Sequence, residues 1–409
     1  MEESYYRRDR KPIKFISFFR DVIISLLPVK FSPLARRLLA YSPDFIFFVH
    51  PRNKEDIYAT FPFIDRLQRW LPSCLVRNVL DFSSCYIVSN VRGPQGRRGY
   101  VVSVTELPEN LFASRELTNR LIQRSISFFE KISDQRTYIG LAAWWPIVSN
   151  SGLLFQKWLK PESRVKITSG HTATLASLYL STIRLCEIKK ILLKESKLLL
   201  IGVGKVGGAL CDLFAGKVEK LGLVDKIPLR IQGLKSNLEK RLSSVNIEAI
   251  PVNDSNFEEI ILQKIEEYDV TICTTSNTGL LVKRGEKLKN CIILDDSRPE
   301  AFPRIFSKEN RAIVLEGGLM KIPGVELDSD FGFGTKESVF GCLSEAIILS
   351  IEQEKELKTN IGDVDYDNFF KMIQFCKTSK IGIGDFKCAS RPVSEEELSA
   401  LFSMDNQRS

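Results

Sequence analysis

Apolar residues along this chain fall into two rhythms. One is the short unbroken run bounded by turn residues, the pattern of a strand buried on both faces. Such runs cover 44–50, 79–91 and 100–104, with Gly93, Pro94, Gly96 and Gly99 marking a turn between the last two. Another, over 138–145, ends at Pro146. The second rhythm is the three-to-four spacing of an amphipathic helix, over 110–132 and, after a short strand at 165–168, over 171–188. Thr168 and Ser169 stand where that helix would take its cap. From 197 onward strands and helices alternate. Apolar runs at 197–201, 227–231, 247–252, 270–274, 291–294 and 312–315 are separated by helical segments, the first predicted over 209–221.

This order predicts an α/β fold of two domains: a Rossmann-type doubly wound parallel sheet preceded by a mixed α/β substrate domain. The expected boundaries are an N-terminal extension at 1–43, the substrate domain at 44–190 and the doubly wound domain at 191–325. A loop and helix carrying Cys342 follow at 326–355, then a C-terminal extension at 356–409.

The segment 13–27 (IKFISFFRDVIISLL) is apolar except for Lys14, Ser17, Asp21 and Ser25, which draw one narrow stripe on a helix, with Arg20 beside it. It is too short and too charged to span a bilayer, and it lacks the cleavage site of a signal peptide. Two readings remain: a helix packed on the protein's own core, or an interfacial helix drawn to anionic lipid by Arg7, Arg8, Arg10 and Lys11. The breadth of the apolar face favours the second, a peripheral contact of residues 1–43 with the inner membrane surface.

Composition narrows the chemistry. Hydrophobic residues make up 44% of the 409 and charged residues 26%, enough for a full core. The net charge is +8, of which residues 1–43, with nine basic and four acidic residues, hold +5. Two histidines, His50 and His171, exclude a multi-histidine metal cage, and no metal is expected. Nine scattered cysteines without a C-x-x-C pair fit reduced thiols in the cytoplasm. No nucleic-acid partner is expected.

The run at 197–201 leads straight into Gly202-Val-Gly204-Lys205-Val206-Gly207-Gly208 and then a helix. That is the context in which a G-x-G-x-x-G turn carries weight. Gly202 permits the tight turn, Gly204 lets backbone approach a pyrophosphate, and Gly207 lets helix and strand pack closely. After the run at 227–231 no acid stands to hold a ribose hydroxyl, whereas Arg230, Lys235 and Ser236 suit a 2′-phosphate. The expected cofactor is therefore NADPH. Ser276, Asn277, Thr278 and Gly279 end the fourth strand, where a nicotinamide would lie, and Asp295-Asp296-Ser297-Arg298 and Gly317 end the fifth and sixth.

Cys211, Cys273 and Cys291 read as small core hydrophobes. Cys342 differs. A helix starting near 335 or 338 puts it in the early turns, where thiol pKa values are lowered, with Glu345 at i+3 on the same face. On these residues alone a packed helix cysteine is the commoner outcome.

Several segments together resemble the long-chain fatty acyl-(acyl-carrier-protein) reductases. They are Phe47-Phe-Val-His50, Tyr100 with Glu106-Leu-Pro108, Gly140-Leu-Ala-Ala, Ile167-Thr168-Ser-Gly170-His-Thr-Ala-Thr174, the glycine turn, Leu315-Glu-Gly317-Gly318 and Val339-Phe340-Gly-Cys342-Leu-Ser-Glu345-Ala346. The last resembles the family's acyl-carrying cysteine motif. The resemblance implies that Cys342 takes a long-chain acyl group from acyl carrier protein or acyl-CoA, and that NADPH reduces the thioester to a fatty aldehyde. It implies catalytic roles near Cys342 for Glu345 and His171. His171 stands where the family has Asn, and Ala173 where it has His, so the histidine's role is open between proton donor and hydrogen-bonded helix-start residue. Two other readings share these features: an NADP-dependent dehydrogenase of shikimate or glutamyl-tRNA-reductase layout, and a non-catalytic NADPH- or lipid-binding module at the membrane.

Overall fold

A computed structural model describes the chain from residue 13 to 402, apart from residues 14, 65–68, 71, 73–82, 84, 243–244, 277–280, 330–336 and 390. The chain builds two large sheets. The first contains β1 (Phe45–Val49), β2 (Tyr86–Arg92), β3 (Arg98–Ser103), β4 (Thr137–Leu141) and β5 (Val165–Thr168). Their order is β2-β3-β1-β4-β5, with β3, β1, β4 and β5 parallel and β2 antiparallel at one side. The apolar run of β1 is buried because the strand lies mid-sheet with both faces covered.

The second sheet contains β6 (Lys197–Ile201), β7 (Lys220–Asp225), β8 (Ile247–Pro251), β9 (Val270–Cys273), β10 (Cys291–Asp295), the short β11 (Phe306–Ser307) and β12 (Ala312–Glu316). The parallel strands run β8-β7-β6-β9-β10-β12, and β11 closes the edge antiparallel. This is the doubly wound order 3-2-1-4-5-6, which reverses direction beside β6 and so opens a crevice at the strands' carboxyl ends. The fold class is the one the pattern predicts.

One predicted strand is corrected. Residues 227–231 are not extended: Pro228 is the first residue of a helix, Pro228–Arg241, and the second strand lies earlier, at Lys220–Asp225. The preceding helix, Lys205–Phe214, is shorter than predicted, because Gly216 takes a positive φ just beyond it. The run Leu221-Gly-Leu-Val224 is buried on both faces, which erases the alternation that marks a half-exposed strand.

Four helices position the candidate chemistry. In chain order α1 is Phe15–Leu26, α2 is Arg115–Ile132, α3 is His171–Ile188 and α4 is Gly341–Glu352. Helix α3 leaves the end of β5 and runs between the sheets, and one apolar core extends from Phe45 and Val101 of the first to Leu198 and Leu294 of the second. After β12, β13 (Leu319–Lys321) leads on to β14 (Glu326–Leu327), which pairs with β2 of the first sheet. The chain then returns through β15 (Ser338–Phe340) into α4, which packs on β4, β1 and α3.

Helix α1 lies against β2 and α2. Two residues of its polar stripe, Asp21 and Ser25, point inward. Asp21 is fully buried and its Oδ2 accepts the Ile87 N–H at 2.9 Å, while its Oδ1 accepts Arg20 Nε at 2.8 Å. The Ser25 and Ser83 hydroxyls lie 2.6 Å apart, and Lys131 Nζ donates to the Ser25 carbonyl at 2.7 Å. Phe18 stacks on Tyr86 with ring centroids 5.2 Å apart. No described helix is long and apolar enough to cross a membrane.

Candidate active site

The carboxyl ends of the two sheets approach one another, joined by the bond from Trp144 to the Arg298 carbonyl. From the second sheet comes the glycine turn. Gly202 holds φ +86° at the end of β6, and a Cβ at Gly207 would fall 1.9 Å from the Gly202 carbonyl oxygen, so helix and strand approach as closely as backbone permits. A Cβ at Gly204 would meet nothing within 4 Å, so the turn's outer side faces open space. Free N–H groups at the start of the ten-residue helix Lys205–Phe214 point there. An open, side-chain-free turn before a helix fits a pyrophosphate. Lys205 and Val206 begin that helix, with Lys205 paired to Asp363.

The corrected second strand changes the ribose end. Asp225, an acid absent from the expected set, ends β7. Its Oδ2 accepts the Val203 N–H at 3.0 Å and its Oδ1 the Ile227 N–H at 2.9 Å, so it also braces the glycine turn. Arg230 lies in the first turn of the next helix, half-exposed, with Nη1 3.9 Å from Asp225. Lys235 pairs with Glu239 further along the helix and Ser236 is exposed beside it, both beyond the turn that Arg230 occupies. The strand's end was missed because the apolar run 227–231, after the charged pair Asp225-Lys226, reads as a strand, although Pro228 suits the first turn of a helix.

Ser276 is exposed after β9, whereas Asn277, Thr278 and Gly279 lie outside the described residues. Gly317 follows β12, and its N–H donates to the Asp295 carbonyl at 2.9 Å. Asp296 follows β10, directly beside Gly317 and Gly318. Burial pushes its carboxyl up to about 7, against the lowering pull of Arg298 and with the help of Asp295 and Glu316. Arg298 Nη2 donates to Glu316 at 2.7 Å and its guanidinium lies 4.8 Å from the Phe340 ring centroid. Its carbonyl accepts Trp144 Nε1 at 2.9 Å, a bond that ties the end of the first sheet to that of the second. Asp296 and Arg298 belong to the loop expected at the fifth strand's end, though without an assigned role, and Trp144 was not expected at the site. The charged run 295–298 was the available signal.

Helix α4 starts at Gly341, not at 335 or 338, so Cys342 is its second residue. The Gly341 N–H donates to the Gly318 carbonyl at 2.7 Å, which fixes the helix start beside the sixth strand's end. All eight described cysteines are free, seven are buried, and Cys342 alone is partly exposed. Its thiol is not activated as expected. Burial pushes it up to about 12, the charge of Asp296 adds to this, and the Leu343 N–H at the helix end offsets only part. The resting group is a thiol.

Glu345 does not face the cleft. It is 1% exposed, and its Oε2 accepts the Ala173 N–H at 2.9 Å while Oε1 accepts the Thr168 hydroxyl. N–H groups of Gly170 and Thr172 also bond to it, so its carboxyl closes the N-terminus of α3 from another helix. This replaces the expected cap by Thr168 or Ser169; Gly170 is the cap residue and has no side chain to offer. Burial still pushes Glu345 up to about 7.

His171, the first residue of α3, is neither charged nor hydrogen-bonded at Nδ1, which is buried without a partner. It is the helix-start residue, and its backbone N–H donates to Ser169 Oγ at 3.3 Å, but Nδ1 makes no hydrogen bond. Burial first, and the positive charge of Lys205 second, lower its pKa to about 4. His171 thus stands between the glycine turn, through Lys205, and Cys342, through Gly170. No His/Cys/Asp/Glu cluster that could hold a metal occurs among the described residues.

No protein-family model matches the chain, and no curated protein matches it. Among solved structures, Listeria monocytogenes shikimate 5-dehydrogenase in complex with shikimate and NAD aligns over 81% of this chain and 96% of its own, at 9% identity and TM-score 0.32. Nostoc punctiforme L-tryptophan dehydrogenase aligns over 64% and 62%, at 14% identity and TM-score 0.29. The Bacillus subtilis dipicolinate synthase A chain aligns over 45% and 55%, at 14% identity and TM-score 0.24. The chain thus spans less than two thirds of the latter two. Likeness at this level assigns neither family nor activity.

Proposed function

We propose that the protein is an NADPH-dependent reductase of long-chain fatty acyl thioesters that releases a fatty aldehyde. One observation carries this reading: Cys342, the one partly exposed cysteine among the described residues, is the second residue of a helix whose first N–H bonds to Gly318, at the strand ends of the sheet that also carries the glycine turn. The resemblance in sequence around Cys342 supplies the substrate class, acyl carrier protein or acyl-CoA.

In the first step the Cys342 sulfur bonds to the acyl carbonyl carbon, the carrier's C–S bond breaks, and the Cys342 proton ends on the carrier thiol. With the thiol near 12, attack needs a base. Asp296 is the acid whose charge acts on that thiol, and near 7 it can take a proton and return it. The Leu343 N–H and the free N–H groups of the first turn of α4 lie where a carbonyl oxygen gains negative charge. A nicotinamide dinucleotide, held at the glycine turn, would supply the hydride for the second step; the bond between the acyl carbon and the Cys342 sulfur then breaks, the aldehyde leaves, and the sulfur takes its proton back from Asp296 or solvent. Neutral His171 faces the same cleft and can hold the aldehyde oxygen by hydrogen bond without charge. Glu345 is a positioning residue that holds Gly170 and α3 against Cys342. Asp225 stands where an acid would hold a ribose hydroxyl, so the choice of NADPH rests on Arg230 alone, the half-exposed cation beside it that suits a 2′-phosphate.

The raised thiol favours one second reading: a dehydrogenase that reduces a free carbonyl without a covalent step. Full-length protein with long-chain acyl carrier protein and NADPH separates them. NADPH loss together with an acyl-mass adduct that Cys342→Ala removes supports the reductase. Carbonyl reduction that survives Cys342→Ala supports the dehydrogenase.

A further inference from the structure

We propose that residues 15–38 form a docking surface for an anionic lipid bilayer, in which the outer apolar face of α1 and the segment after it lie in the headgroup region. The reading stands on the placement of side chains and does not depend on the reduction proposed above.

An amphipathic helix on a soluble protein turns its polar stripe to water and its apolar face to the core. Helix α1 does the reverse. Asp21 and Ser25 are turned inward and bond to Ile87 and Ser83, while Phe15, Ile16, Phe19, Ile23 and Leu26 are exposed. Ile16 is 81% exposed and Leu26 66%. The face continues past the helix through Phe31, Leu34 and Leu38. Nine of the eighteen large apolar side chains exposed among the described residues lie in these 24 positions, so they form a concentration and not a scatter. Phe18, Asp21 and Ile24 anchor the opposite side of the helix on the core, so the face is held rigidly outward.

Charge selects the occupant. Between residues 10 and 43 the sequence has Arg10, Lys11, Lys14, Arg20, Lys30, Arg36 and Arg37, and its only acid is Asp21, whose carboxyl is buried and occupied. Lys30 and Arg37 are exposed at the edge of the apolar face. Two copies of so basic a surface repel one another, whereas an anionic bilayer offers charge at the headgroups and hydrocarbon beneath. The apolar residues are short of a membrane span, which fits a helix lying in the interface plane.

The test is co-sedimentation of the full-length protein with vesicles of phosphatidylcholine alone and with 30% phosphatidylglycerol. Binding is expected on the phosphatidylglycerol vesicles, weakened on raising salt. Ile16→Asp with Ile23→Asp is expected to lower the partition coefficient at least about tenfold, since each replaces a buried apolar group by a charge. Lys30→Glu with Arg37→Glu, which leaves the apolar face whole, is expected to lower it by about the same factor on anionic vesicles only. These side chains are exposed, so the variants keep the wild-type circular dichroism and thermal midpoint. No sedimentation of wild-type protein with anionic vesicles overturns the proposal. So does a concentration-dependent dimer in light scattering that Ile16→Asp with Ile23→Asp dissolves while vesicle binding is unchanged, because the face then belongs to a second copy. Acyl-thioester reduction in detergent-free buffer is read in parallel: vesicle binding without reduction defeats only the proposed reaction, and reduction without vesicle binding defeats only this surface.

Discussion

A Cβ placed on Gly170 would stand 2.4 Å from the Cβ of Cys342. The cap of α3 and the second residue of α4 are therefore in van der Waals contact through a missing side chain. Gly170 also sits at φ +77°, in the left-handed region that other residues adopt at a cost. Gly170→Ala is expected to destabilise the fold by about 2 kcal/mol or more, from steric and backbone strain together. It should also shift Cys342. Thermal unfolding reads the first effect, and the rate of Cys342 alkylation in the folded protein reads the second.

Asp296 raises the Cys342 thiol by its charge, on top of burial. Asp296→Asn removes that charge, so the thiol falls and a larger fraction is thiolate at pH 8. Iodoacetamide is expected to label Cys342 faster in the variant than in the wild type, while acyl transfer slows because the proposed base is gone. A rise in both rates would show that Asp296 only restrains the thiol.

The Glu345 carboxyl has a folded pKa of about 7 against an ordinary 4.5. The folded state therefore holds this proton more tightly than the unfolded state. Its contribution to stability is full below about 4.5 and is lost as pH rises through 7. Glu345→Gln cannot titrate, so its thermal midpoint relative to wild type is expected to rise steadily between pH 5 and 7. A constant difference would mean that Glu345 stays ionised throughout.

Arg230 is the half-exposed cation at the ribose end of the cleft. Arg230→Ala is expected to raise the KM for NADPH by about tenfold or more, the cost of one charge-assisted hydrogen bond. The KM for NADH should stay within about twofold. An equal rise for both would place the ribose phosphate elsewhere.

What local sequence could carry, it carried. The turn Gly202 to Gly207 sits between β6 and its helix as the spacing predicts, because a glycine turn is specified by residues within one strand and one helix. The buried parallel strands of the second sheet were likewise legible as apolar runs, save the second, expected at 227–231 where a helix begins. Cys342 could be singled out by its neighbours along the chain. Its thiol pKa could not, because that follows from the burial around it and from Asp296, 46 positions away. The cap of α3 comes from Glu345, 172 residues beyond the backbone N–H of Ala173 that it accepts. The polar stripe of α1 was visible as a period, but periodicity fixes only which residues share a face. Which way that face turns depended on Ile87 and Ser83 offering partners to Asp21 and Ser25, and only packing brings those residues together.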